Sequence, residues 1–344
     1  MKHRLLTVFP IVLPFLLFAP STSFADAASD AAACDALAAS PKDFQKPGNV
    51  PGVDFDDVKG DDAVAACTIA LQSNPDHPRI MFELGRAYDA AEKQPEKQYE
   101  FYKKAADRGY VVGIYNLARL QEREGPHKDQ LAANILHCKA AQAGLQLAYV
   151  PCGYAHDAGE GFVQDYKVAM QWYKKAADTG DVTAITNLGI MYEQGSGVDK
   201  DMARAAEYHK KSADLGDVIG MNNYGNFLVQ GIAVRQDIAR GMDYLTKATE
   251  AGGEDAPVTL AETYDRGKEI PFDATKAASN YLVGLKRNGE QAKEALIDKA
   301  GAGIKPATLD AIQAQLKAEG KVFEARAGTL SPTVIAVLKE YPVK

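Results

Sequence analysis

The sequence predicts an all-α protein: an α-α superhelical solenoid of about five two-helix repeats, with a distinct N-terminal unit and a C-terminal cap. Three observations carry that prediction. Landmark residues recur at a fixed step. Gly180, Gly216 and Gly252 lie 36 residues apart, as do Gly159, Gly195, Gly231 and Gly267, and Asp165, Asp201, Asp237 and Asp273. Trp172, Tyr208 and Tyr244 keep the step, and so do Lys175, Lys211 and Lys247. Within each unit the apolar residues fall at helical spacing. Glycines and aspartates punctuate the units where helices end and begin.

The first element is a leader. Lys2, His3 and Arg4 form a basic start, Leu5 to Phe18 is apolar, and Ser23-Phe24-Ala25 is a small-x-small cleavage pattern. Residues 1–25 are expected to be a secretory signal peptide cut after Ala25, which places the mature chain in the periplasm or outside the cell. Pro10 and Pro14 interrupt the apolar run, and a span needs about 18 clean apolar residues. No membrane-spanning segment is therefore expected after cleavage. A lipoprotein would use Cys34, but Ala31-Ala32-Ala33-Cys34 lies well past the apolar run and has Ala where Leu is usual. Without the leader, 37 Lys and Arg face 46 Asp and Glu, a net charge of −9. A nucleic-acid binder needs a basic footprint, so nucleic acid is excluded as a partner.

Cys34, Cys67, Cys138 and Cys152 show no CxxC or Cys/His metal spacing. An even count in an exported chain favours disulfides. Sequence neighbours suggest Cys34–Cys67 and Cys138–Cys152; other pairings, or four buried thiols, stay open.

The stretch from Trp172 to Asp201 shows how one repeat is written. Asp181 opens a first helix that runs to about Gln194, with Ala184, Ile185, Leu188, Gly189 and Tyr192 on one face. Gly189 lets a neighbouring helix approach closely. Gly195 and Gly197 end the helix by permitting positive φ. Asp201 is a natural N-cap for the second helix, whose buried face is Ala205, Tyr208, Ser212 and Ala213. Gly216 returns the chain to the next unit. The Gly-x-Gly is thus a helix-helix turn. A phosphate loop would need a strand before it.

Leu188 to Gly216 reads LeuGly-x-x-Tyr-x-x-Gly-x-Gly-Val-x-x-Asp-x-x-x-Ala-x-x-Tyr-x-Lys-x-Ala-x-x-Gly, which resembles the Sel1-like repeat, a variant of the tetratricopeptide repeat. The resemblance covers residues 99–288 and weakens at both ends. Ala233 and Glu269 replace the second turn glycine, and Cys152 takes the Leu position. Residues 26–98 read as an N-terminal cap and a tetratricopeptide-like unit, carried by residues 63–75 and by Leu84-Gly85-Arg86-Ala87-Tyr88. Residues 289–344 break the period. They read as a helical cap, needed because a solenoid end exposes an apolar face, or as a degenerate peptidoglycan-binding-like segment.

The resemblance implies a superhelix that binds a protein or peptide, with no chemistry and no cofactor. Its first helices would line the inner, concave side. Several exported proteins of this type have disulfides between helices, which fits Cys138 and Cys152. Cys138 aligns with Lys174, however, a position expected to be exposed. If Leu188 points into the core, Thr183, Asn187 and Ile190 point away from it. One period on, Ile219, Asn223, Asn226 and Gln230 continue the strip, and Asn116 and Arg119 begin it. Side-chain amides both donate and accept, so the asparagines suit the backbone of an extended peptide, although a solvated or capping role is as natural for them.

Other chemistry finds little support. No serine of the mature chain has the Ser-x-x-Lys spacing, Gly195-Ser196-Gly197 is no nucleophile elbow, and HExxH is absent. His209 aligns with Tyr173 and Leu245 and reads as a packed ring rather than a ligand. Asp54, Asp56, Asp57, Asp61 and Asp62 lack the EF-hand spacing. Trp172, Tyr208 and Tyr244 read as core at repeat spacing. The expected function is an exported, non-enzymatic interaction scaffold. The alternatives are cell-envelope (peptidoglycan) binding by the C-terminal segment and a weak β-lactam-binding hydrolase.

Overall fold

The computed structural model describes residues 24–287 and 303–340. The expected signal peptide lies outside them apart from Phe24 and Ala25, as do residues 289–302 at the start of the C-terminal segment. Among the described residues the regular structure is helical, with one isolated bridge between Arg326 and Thr329. The chain forms two compact units, one ending at Asp129 and one starting at Gln130.

The first unit holds α1 (Phe24–Ala38), α2 (Gly60–Ser73), α3 (Pro78–Ala91), α4 (Pro95–Asp107) and α5 (Val111–Glu122). Its core joins α1, α2 and α3 through Cys34, Ala38, Ala63, Cys67, Ala70, Ile80 and Leu84. Cys34 and Cys67 form a disulfide between α1 and α2. Between those helices, residues 39–58 run as a strap with little regular structure, a short 3-10 turn at Phe55–Asp57 excepted.

The second unit holds α6 (Gln130–Gln142), α7 (Tyr149–Ala158), α8 (Tyr166–Asp178), α9 (Val182–Gln194), α10 (Met202–Asp214) and α11 (Val218–Gln230). It continues with α12 (Ile238–Glu250), α13 (Ala256–Arg266), α14 (Ala274–Arg287), α15 (Pro306–Ala318) and α16 (Pro332–Lys339). Aspartate side chains cap α8 to α12 and α14. Asp201 Oδ1 accepts from the Ala203 and Arg204 amides at 3.1 and 3.0 Å, and Asp181 and Asp217 cap α9 and α11 in the same way. Each cap serves amides that have no partner inside the helix. At the α9–α10 turn Gly195 and Gly197 have φ of 82° and 72°. A Cβ on Gly197 would stand 2.6 Å from the Tyr166 carbonyl. Ala233, one repeat on, holds φ at 54° despite its methyl group.

Gly189 brings α9 against α10 so closely that a Cβ would meet the His209 ring at 2.7 Å. His209 is fully buried, with Nε2 3.0 Å from Glu193 Oε2. Tyr173, the equivalent ring one repeat earlier, is also fully buried, and its hydroxyl donates to Asp157 at 3.3 Å. The neighbouring rings behave differently from the expectation of core. Trp172, Tyr208 and Tyr244 are half-buried, because they sit one residue round the helix from the fully buried position. They seal the rim, paired with Tyr149, Tyr192 and Tyr224 at centroid distances of 5.6, 5.5 and 5.5 Å.

Cys138 corrects another expectation. Lys174 is exposed, but Cys138 is buried and bonded to Cys152 across α6 and α7. A lysine on that flank extends its stem until the ammonium reaches water. A cysteine has no such reach and stays covered. At the far end, Tyr281, Leu282 and Leu285 of α14 share one core with Ile304, Leu309, Ile312, Leu316, Val334 and Leu338.

Candidate partner-binding face

The Leu-Gly pair at the middle of α3 and of α9 sets a common register for the first helices: Leu84, Leu117, Cys152, Leu188 and Tyr224 are equivalent. The side chains five before, one before and two after that position form the strip on the opposite face from the core. In α3 they are Arg79, Glu83 and Arg86. In α5 they are Val112, Asn116 and Arg119. In the second unit they are Leu147, Pro151 and Tyr154; then Thr183, Asn187 and Ile190; then Ile219, Asn223 and Asn226.

On α3 the strip is covered by the chain itself. Arg79 pairs with Asp35 of α1. Arg86 Nη1 donates to the carbonyls of Ala38 and Ala39 at 3.0 and 3.1 Å, and Nη2 donates to the Val53 carbonyl at 2.6 Å. The Phe55 ring lies 5.7 Å from the same guanidinium. Further along the strap, Asp43 accepts from the Tyr110 hydroxyl, and Gln45 Oε1 accepts from the Val111 amide at 2.8 Å, serving the first turn of α5. Beneath this cover Glu83 is fully buried. Burial, reinforced by the Asp35 carboxylate, pushes its pKa well above the usual carboxylate range. Glu83 Oε2 stands 3.1 Å from Cys34 Sγ. A disulfide sulfur carries no hydrogen, so a hydrogen bond there can run only from a protonated Glu83 to the sulfur.

On α5, Asn116 is half-buried and donates to the Val112 carbonyl of its own helix at 2.8 Å, while Arg119 is exposed. Asn116 therefore serves its helix rather than standing ready for a ligand.

In the second unit the strip is open. Leu147, Tyr154 and Ile219 are 38%, 52% and 53% exposed. Thr183 and Gln230 are exposed; Asn187, Ile190, Asn223 and Asn226 are half-buried. Asn187 lies beside the Tyr173 hydroxyl, whose pKa burial raises first and the nearby Asp157 next. Asn223 Oδ1 accepts from Asn222 at 3.2 Å, and Asn222 in turn accepts from Thr259 at 3.0 Å. Asn226 accepts from Gln230. The amides of α11 are thus held by neighbouring side chains. Leu147 and Tyr154 did not enter the sequence-based strip. Stepping back 36 residues from Thr183 and Ile190 finds both.

Among the described residues, two groups bring metal-ligating atoms together: Cys34, Cys67 and Glu83, and Cys138, Cys152 and His156. The cysteines of both are disulfide-bonded here. His209, bound to Glu193, belongs to neither.

Comparison with known families settles the class. The Sel1 repeat model matches residues 80–110, 111–145, 146–181, 182–217 and 218–253. The chain belongs to the Sel1 repeat family. Sel1 repeats generally build protein–protein interaction scaffolds. The first match starts at α3, so the unit that reads as tetratricopeptide-like overlaps a Sel1 repeat. Among solved structures, the chain is similar to a protective antigen of uropathogenic Escherichia coli displaying an SLR fold. They share 24% identity over 76% of this chain and 57% of that one, with a TM-score of 0.59. It is also similar to a Sel1 repeat protein from Oxalobacter formigenes, 27% identical over 66% of this chain and 92% of that one, with a TM-score of 0.55. No curated protein matches. No helix among the described residues is long and apolar enough to cross a membrane.

Proposed function

We propose that this Sel1 repeat protein is an exported interaction scaffold, and that the strip from Leu147 to Gln230 receives a peptide or partner protein. The observation that carries the reading is the contrast between equivalent faces. On α3 the strip is spent on the chain's own strap. On the 3-10 turn Gln146–Ala148, α7, α9 and α11 it presents Leu147, Tyr154 and Ile219 to solvent beside oriented amides. A run of exposed apolar side chains along one register, rimmed by polar ones, is what a partner-binding strip needs. Export rests on the leader and agrees with two disulfides, which persist in oxidising compartments. The shared core of α14, α15 and α16 supports reading residues 289–344 as a cap.

The test is a crosslinking pull-down from a periplasmic extract with the mature chain as bait. Three baits are compared: wild type, Tyr154→Arg with Ile219→Arg, and Ile69→Arg, which alters an exposed side chain of α2. The expected result is a partner held by wild type and by Ile69→Arg, and lost from the double variant at unchanged melting temperature. Equal retention by all three baits sinks the assignment of the face.

A further inference from the structure

Three departures from the repeat pattern meet at one point in the second unit. Cys138 stands where α8 has Lys174, Cys152 stands where α9 has Leu188, and His156 stands where α9 has Tyr192. The disulfide accounts for both cysteines. It does not account for the histidine. His156 lies one turn beyond Cys152 on the same face of α7, at the i,i+4 spacing that makes helical neighbours. Its ring is held by stacking on Phe162, centroids 4.4 Å apart. Its Nδ1 is buried and makes no hydrogen bond, as is also true of the His209 Nδ1; what sets His156 apart is the pair of sulfurs beside it. Both sulfurs and one ring nitrogen lie within 4.8 Å of one another.

We propose that when a dithiol reductant opens the Cys138–Cys152 bond, Cys138, Cys152 and His156 become a binding site for a soft divalent metal, Zn2+ foremost. In the exchange step the S–S bond breaks. The reductant supplies two electrons and two protons and closes to its own disulfide, leaving two protein thiols. Zn2+ then displaces both thiol protons to solvent and forms two Zn–S bonds. His156 donates its nitrogen lone pair without losing a proton. Zinc holds sulfur at about 2.3 Å and nitrogen at about 2.0–2.1 Å, so its ligands stand roughly 3.5–4 Å from one another. The sulfurs must move apart and the ring nitrogen inward, which calls for side-chain rotations on two adjacent helices. Two thiolates and an imidazole select Zn2+ over Mg2+ or Ca2+. Three protein ligands leave a fourth position for water or for a ligand atom of a partner. The metal would also replace one crosslink between α6 and α7 with another.

The probe is Co2+, whose bonds to thiolates give a charge-transfer absorption, with Zn2+ as competitor. The full mature chain is compared oxidised, reduced with a phosphine, and reduced as Cys138→Ser with Cys152→Ser and as His156→Ala. The expected band appears in reduced wild type only, is bleached by one equivalent of Zn2+, and is absent from the double serine variant, which keeps Cys34 and Cys67. Loss of outer-shell partners already costs about 10–100-fold in affinity, so His156→Ala should weaken binding at least about 100-fold. Circular dichroism of the oxidised His156→Ala protein checks its fold, so that variant decides the matter if the serine pair does not fold. No band in reduced wild type, an equal band in the serine variant, or wild-type affinity in His156→Ala would each overturn the site.

Discussion

A paired acid and ring inside three of the repeats shows how single residues balance burial against polarity. Asp89 accepts from Tyr102 at 3.3 Å, Asp157 from Tyr173 at 3.3 Å, and Glu193 faces His209 at 3.0 Å. In the next repeat both members turn apolar together: Val229 and Leu245, each fully buried. Removing both partners of a buried pair is nearly neutral, while removing one is costly. Val229→Glu alone is therefore expected to destabilise by about 2–3 kcal/mol in urea unfolding, and adding Leu245→His should recover more than half of that. Additive losses would show that the two positions do not communicate. Glu83 makes a second residue-scale prediction. Its pKa is raised in the folded state by burial, so the folded chain holds a proton that the unfolded chain releases. Stability then falls as pH rises above the ordinary glutamate range towards the raised folded value. Glu83→Gln keeps a donor for Cys34 Sγ and cannot ionise. Its melting temperature should gain on wild type between pH 5 and pH 8; parallel curves would mean that Glu83 does not titrate in that window.

At the scale of elements, the strap and the repeat helices differ in how they are held and in how well the sequence announces them. The helices are read from local signals: apolar side chains at helical spacing and, in the second unit, aspartates before the second helices and glycines after the first. Those signals act within a few residues, which is why Asp201, Gly195 and the close approach at Gly189 were readable in advance. The strap has no period. Its anchors are main-chain carbonyls taken by Arg86 from 33 to 48 residues away and two side chains, Asp43 and Gln45, that reach Tyr110 and Val111; carbonyls carry no residue-type signature, and the side-chain partners lie more than 60 residues on. Arg79 and Arg86 look like ordinary helix charges until the segment that covers them is in place. The burial of Cys138 was unreadable for a related reason, since alignment to Lys174 reports the position and not the reach of the side chain. Arg86→Ala should cost about 2–4 kcal/mol, because hydrogen bonds from a charged donor contribute roughly 1.5–3 kcal/mol each and are not additive. Amide exchange should rise across residues 39–58 and stay unchanged in α9 to α12. Uniform exchange along the chain would mean that the strap is held by something other than that guanidinium.

Over the whole molecule, the two compact units each carry one disulfide, and the chain has a single tryptophan, Trp172, in the second. Repeat proteins draw their stability from neighbouring contacts, so a crosslink should act mainly on the unit that contains it. Cys34–Cys67 joins residues 33 apart and Cys138–Cys152 residues 14 apart. Loop-closure entropy gives these about 4 and about 3 kcal/mol. Trp172 sits 5.6 Å from Tyr149 and under the Lys175 ammonium at 4.1 Å, so its fluorescence reports unfolding of the second unit alone. Helical dichroism reports both. In urea, Cys34→Ser with Cys67→Ser is expected to split the two signals: part of the dichroism is lost early, while the Trp172 transition stays where it was. Cys138→Ser with Cys152→Ser should move the Trp172 transition to lower urea. If removing the first disulfide shifts Trp172 as far as it shifts the dichroism, the two units unfold as one, and the crosslinks serve the whole chain rather than its parts.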